Sequence, residues 1–81
     1  MLRLAKKTKL KPEETIRKAI DFFGPKGYGL KLHEDSPCCA KFEGGGGTVE
    51  VSSSAEEKGT SVEILSQEWD FQAREFMGKL K

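Results

Sequence analysis

The chain has 81 residues, 36% apolar and 33% charged, with 14 basic and 13 acidic side chains. That length is about half of a usual ~150-residue domain, so it predicts one domain over residues 1–81, burying only about 60–65% of the surface exposed on unfolding. The near-balance of charge excludes a uniformly basic nucleic-acid binder and an acidic disordered tail. Apolar runs of two or three residues fall far short of the ~20 that span a bilayer. With no charged-then-apolar leader at its start, the chain is expected to be cytoplasmic, with no membrane partner.

Charge is unevenly spread. Residues 1–20 carry Arg3, Lys6, Lys7, Lys9, Lys11, Arg17 and Lys18 against Glu13 and Glu14, whereas residues 21–81 carry seven basic and eleven acidic side chains. Arg3, Lys6, Lys7, Lys9 and Lys11 are therefore a candidate set for an anion or a partner. The competing reading is an edge strand kept soluble by lysines, since no aromatics interleave as a stacking platform requires.

Met1 to Leu10 places Leu2, Leu4, Lys6, Thr8 and Leu10 on one parity, a pattern suited to an edge strand. Pro12, tolerated in a first helical turn, and the acidic Glu13 and Glu14 predict a helix starting near residue 12. Ile16, Ala19, Ile20 and Phe23 form one apolar stripe, and Gly24-Pro25 predicts a left-handed cap and a stop. Tyr28, Leu30 and Leu32 alternate with polar residues as a half-buried strand, and Asp35-Ser36-Pro37 predicts a turn. Cys38, Ala40 and Phe42 then alternate inward in a second strand. After Gly44 to Gly47, Thr48–Ser54 and Thr60–Leu65 read as two further strands around a polar loop over Ala55–Gly59. A last helix, starting at Asp70 in preference to Ser66, sets Trp69, Ala73, Phe76, Met77 and Leu80 on one stripe. Phe71 falls off that stripe and is expected at its edge or against a loop.

The order β-α-β-β-β-β-α predicts a two-layer α+β domain, an antiparallel sheet of about five strands with both helices on one face. By element order, and through the GPKGY, FEGGGGTVEV and EWDFQAREF segments, the chain resembles small bacterial families, the half-repeat of TATA-binding-protein-like folds, and a shortened helix-grip domain of the START and polyketide-cyclase type. The helix-grip resemblance implies an apolar ligand between helix and sheet. This sequence lacks the additional strands and helices that enclose a deep cavity there.

Candidate chemistry is sparse. Cys38-Cys39 lie near His33, Glu34 and Asp35, but adjacent strand residues diverge and the spacing is not that of a thiolate metal site. Cys38 is expected as a small core residue and Cys39 as a partly exposed free thiol, in keeping with a reducing compartment. The glycine run lacks the Gly-Lys-Ser/Thr ending of a phosphate loop and leads into a strand, so it reads as a hairpin or bulge, its glycines serving either positive φ or a close approach. His33 beside Lys31, Lys41, Glu43, Glu50 and Glu63 reads as cross-strand pairing on a solvated face. No catalytic set, metal site or cofactor is expected.

Two binding readings remain. In the first, Tyr28, Phe42, Trp69, Phe71 and Phe76 line a seam between helix and sheet that takes a small apolar ligand or a partner segment. The alternative, that these aromatics are the core, gives a cost of ~3–5 kcal/mol for Trp69→Ala. In the second, an exposed sheet edge pairs with a protein partner or a second copy, so the chain is a monomer or a weak homodimer. Nucleic-acid binding is disfavoured, because Glu43, Glu50 and Glu63 on the open face repel phosphate.

Overall fold

The computed structural model describes residues 2–80. Met1, included in the first expected strand, lies outside them. The elements are β1 (Leu2–Thr8), α1 (Pro12–Phe23), β2 (Lys31–Asp35), β3 (Cys39–Gly44), β4 (Gly47–Glu56), β5 (Gly59–Gln67) and α2 (Asp70–Lys79). The strands form one antiparallel sheet in the order β1-β5-β4-β3-β2. The chain's first strand therefore closes one edge against its last, and the two-layer α+β architecture expected from the pattern is the one observed.

Strand parity sorts the two faces. Leu4, Leu32, Ala40, Phe42, Val49, Val51, Val62 and Ile64 point to the helices, joined by Ile16, Ala19 and Phe23 of α1 and by Ala73, Phe76 and Met77 of α2. Phe23 packs on Phe42 and Phe76 with ring centroids 5.6 and 5.5 Å apart, so aromatic side chains from both helices and the sheet fill the centre. Buried polar groups tie the β1–α1 connection to the sheet, with Ser53 Oγ donating to Pro12 O at 3.0 Å and Thr60 Oγ1 donating to Leu10 O.

Helix α1 begins as expected, with Pro12 at its first turn and Lys11 N–H donating to Glu14 Oε1 at 3.3 Å. Its end differs. Gly24 is extended (φ −72°) rather than left-handed, and it is a glycine because a Cβ there would lie 2.4 Å from Ile20 O. The expected strand from Tyr28 begins only at Lys31, since Gly27, Tyr28, Gly29 and Leu30 donate their N–H groups back to the end of α1. The expected Ala55–Gly59 loop shrinks to Glu57-Lys58, because β4 and β5 stay paired to Glu56↔Gly59. Asp70 is the first residue of α2, and Trp69 takes the cap position.

The glycine run serves both purposes that sequence left open. Gly45 and Gly46 have φ of +58° and +80°, the signature of a two-residue type I′ hairpin turn. Gly47 meets a close approach instead, since a Cβ there would sit 2.0 Å from Gln67 O.

Candidate functional site

The seam residues separate into two groups. Phe42 and Phe76 are core, with 0% and 2% exposure, and they belong with Phe23 rather than with any ligand pocket. Tyr28 and Phe71 are exposed, at 44% and 73%, and Trp69 lies between the two groups, half-buried against the edge of the core. Phe71 packs neither at a stripe edge nor under a loop, because the 100° step per residue carries it off the face that Ala73, Phe76 and Met77 bury.

Tyr28 and Trp69 are held from different directions. After α1, Gly27 N–H donates to Gly24 O at 2.9 Å and Tyr28 N–H to Phe22 O at 3.0 Å, folding the chain back so that Tyr28 stands outward. Only glycine fits at position 27, where a Cβ would lie 2.0 Å from Phe22 O. The Tyr28 ring meets Phe22 edge-on at 5.2 Å and Trp69 at 5.9 Å. Trp69 is fixed to the β3–β4 hairpin by Nε1–H donating to Gly44 O at 2.8 Å, with its ring over Gly45. Tyr28 Oη donates to Glu75 Oε1 at 2.7 Å, and Glu75 lies four residues after Phe71, on the same helix face. The hydrogen bond to Glu75 comes first among the causes that raise the Tyr28 phenol above its ordinary 10.0, followed by desolvation and by the negative charge of Glu75.

The basic residues near the start of the chain do not converge. Arg3 and Lys7 lie on the exposed parity of β1, and Lys7 Nζ pairs with Glu56 at 3.4 Å. Lys6 is on the inward parity, half-buried, and its Nζ donates to Met77 O and Leu80 O at 2.8 Å each. Those carbonyls end α2, where the helix dipole is negative, so Lys6 caps a helix. Lys11 lends its backbone N–H to the start of α1, and Lys9 is exposed beyond β1. Sequence missed the role of Lys6, although its inward parity was the available signal.

The open sheet face carries two cross-strand pairs, a hydrogen bond between His33 Nε2 and Glu43 Oε1 at 2.7 Å and an ion pair of Lys41 Nζ with Glu50 Oε1 at 3.7 Å. His33 is at a bulge where β2 shifts register against β3. Cys38 and Cys39 are joined as a disulfide, which corrects both the core reading of Cys38 and the free-thiol reading of Cys39. Cys38 is not in the strand. It is the third residue of a tight turn closed by Ser36 N–H to Cys39 O (2.9 Å) and Cys39 N–H to Ser36 O (3.2 Å), so the divergence of strand neighbours does not apply. The pair closes no loop between distant segments, and it removes the link drawn from cysteine usage to a reducing compartment.

No described helix is long and apolar enough to cross a membrane. Among the described residues, no three of His, Cys, Asp and Glu converge as a metal site would require. Comparison of the chain with protein-family models, curated proteins and solved structures returns no match in any of the three.

Proposed function

We propose that the chain is a small non-enzymatic binding module that receives an apolar side chain of a protein segment on the surface made by Tyr28, Trp69 and Phe71. The observation that carries this reading is Phe71, 73% exposed on an ordered helix in a domain short of core material. An isolated exposed apolar residue is ordinary. Here a second exposed aromatic, Tyr28, reaches the same helix face through Glu75, and Trp69 packs against Tyr28. Aromatic side chains on rigid supports are the usual anchors of recognition, because they bring large contact area at small entropic cost.

A protein segment suits this surface better than an enclosed small molecule, since Phe23 packs on Phe42 and Phe76 between the helices and the sheet and all three rings are buried there. A second reading is strand addition at the β1 edge, favoured by its unbroken pairing with β5. Arg3 and Lys7 on that strand suit an acidic extended segment, whereas an antiparallel second copy centred on Ala5 would set Arg3 against Lys7 and repel.

The test is selection of displayed random peptides on the immobilised chain, with affinities of the selected peptides remeasured on Phe71→Ser, Tyr28→Ala and Arg3→Ser/Lys7→Ser. Peptides rich in apolar residues that lose at least tenfold in affinity on Phe71→Ser support the aromatic surface. Acidic peptides that ignore Phe71→Ser but fail on the Arg3/Lys7 variant overturn it in favour of the β1 edge.

A further inference from the structure

We propose that the Cys38–Cys39 pair is a thiol–disulfide exchange site for low-molecular-weight thiols, with Cys39 the sulfur attacked and Cys38 the leaving group. Three observations carry this. The pair is at the tip of the β2–β3 hairpin, Cys38 exposed and Cys39 half-buried, so solvent reaches it without unfolding. Cys39 borders an open depression of about 250 Å³ on the uncovered sheet face, lined by Arg3 and Lys41 and by Glu34, Glu50 and Glu63, which gives a small thiol an approach to Cys39 from the side away from the helices. Ser36 Oγ, which donates to Cys39 O at 3.3 Å, is also 3.5 Å from Cys38 Sγ, so its proton can turn to a thiolate formed on Cys38.

The exchange balances as two displacements. A thiolate attacks Cys39 Sγ, forming a mixed disulfide while the Cys38–Cys39 bond breaks and its electron pair leaves on Cys38 Sγ, where Ser36 donates a hydrogen bond. A second thiolate attacks the small-molecule sulfur of the mixed disulfide, releasing the oxidised small disulfide and a Cys39 thiolate. Solvent protonates both cysteines, and two thiols have supplied two electrons to the protein disulfide. The reverse sequence, from the small disulfide, closes the pair again.

The fold is built to let this happen in place. Cross-links stabilise chiefly by closing long loops in the unfolded chain, and adjacent residues close none. The turn is held independently by the Ser36–Cys39 backbone pair and by Ser53 N–H donating to Cys38 O at 2.8 Å.

The experiment uses the full chain with reduced and oxidised glutathione, counting alkylated thiols by intact mass. After equilibration with oxidised glutathione no thiol is expected to alkylate, and after reduced glutathione two are. Reduction in native buffer is expected within tenfold of its rate in urea. Thiols that still alkylate after oxidised glutathione, or native reduction slower than that tenfold, overturn the proposal. When the reaction with reduced glutathione is quenched early in acid, fragmentation of the mixed disulfide is expected to place the glutathione on Cys39, and an adduct on Cys38 overturns the order of attack.

Discussion

Replacing Lys6 by methionine keeps most of the side chain's aliphatic stem and removes the ammonium that spans Met77 O and Leu80 O. Hydrogen bonds to charged groups contribute about 1.5–3 kcal/mol each, and a cation at a helix C-terminus adds ~0.3–1 kcal/mol, more when partly buried. Both carbonyls belong to a helix end that water can re-solvate, so these contributions do not simply add. The expected loss for Lys6→Met is roughly 1.5–3 kcal/mol, which in a domain of this size lowers Tm by about 6–24 °C. The control is Lys7→Met, one residue along and on the opposite face. Its ion pair with Glu56 is 3.4 Å long between side chains 81% and 39% exposed, so it is expected to cost under ~0.5 kcal/mol.

Urea melts give both values, and amide hydrogen exchange locates the effect. For Lys6→Met, exchange is expected to rise first in the last turn of α2, around residues 77–80. A loss below ~0.5 kcal/mol for Lys6→Met, or an equal loss for Lys7→Met, would refute the capping role and return Lys6 to the pool of surface cations. The same pair of variants separates architecture from recognition within one basic cluster, which charge counting cannot do.

Tyr28 is the chain's one tyrosine, so an ultraviolet titration of the phenol reports on it alone. Its midpoint is expected above 10.0 and to fall towards that value in Glu75→Gln. The shift favours the protonated phenol in the folded state, so its contribution to stability is complete below the unfolded pKa and is lost as pH rises through the folded one. A midpoint unchanged by Glu75→Gln would show that the Tyr28–Glu75 bond does not form in solution. At the hairpin, Gly45→Ala meets both φ +58° and the Trp69 ring at 3.0 Å and is expected to cost about 1–2 kcal/mol in urea melts. Gly46→Asn, at φ +80° with open space around it, is expected to stay within ~0.5 kcal/mol, and equal losses at both sites would contradict the turn. Trp69 is half-buried, so Trp69→Ala is expected to cost ~2–4 kcal/mol, below full core truncation. Trp69→Phe is expected to cost about 1 kcal/mol for the bond to Gly44 O, and a loss under 1 kcal/mol for the alanine variant would mark Trp69 as exposed.

Element order, the inward parity of every strand and the stripe of α1 are legible from the chain alone, because periods of two and of 3.6 residues are local properties of the backbone. Pro12 with Glu13 and Glu14 marks the start of α1 for the same reason: a helix end leaves backbone N–H groups unpaired wherever it occurs. The chemistry at particular side chains is decided by partners distant in sequence. Lys6 becomes a cap only because β1 at the sheet edge runs beneath the end of α2, more than seventy residues later. Phe76 is core and Phe71 is surface because α2 presents one face to the sheet, while Tyr28 leaves its expected strand because the end of α1 takes the N–H groups around it. Cys38 and Cys39 come together because Ser36 and Cys39 pair as a turn, placing Cys38 outside the strand that its alternation suggested. Periodicity specifies which face of an element is apolar; which element covers that face, and how far the cover extends, is set by packing alone.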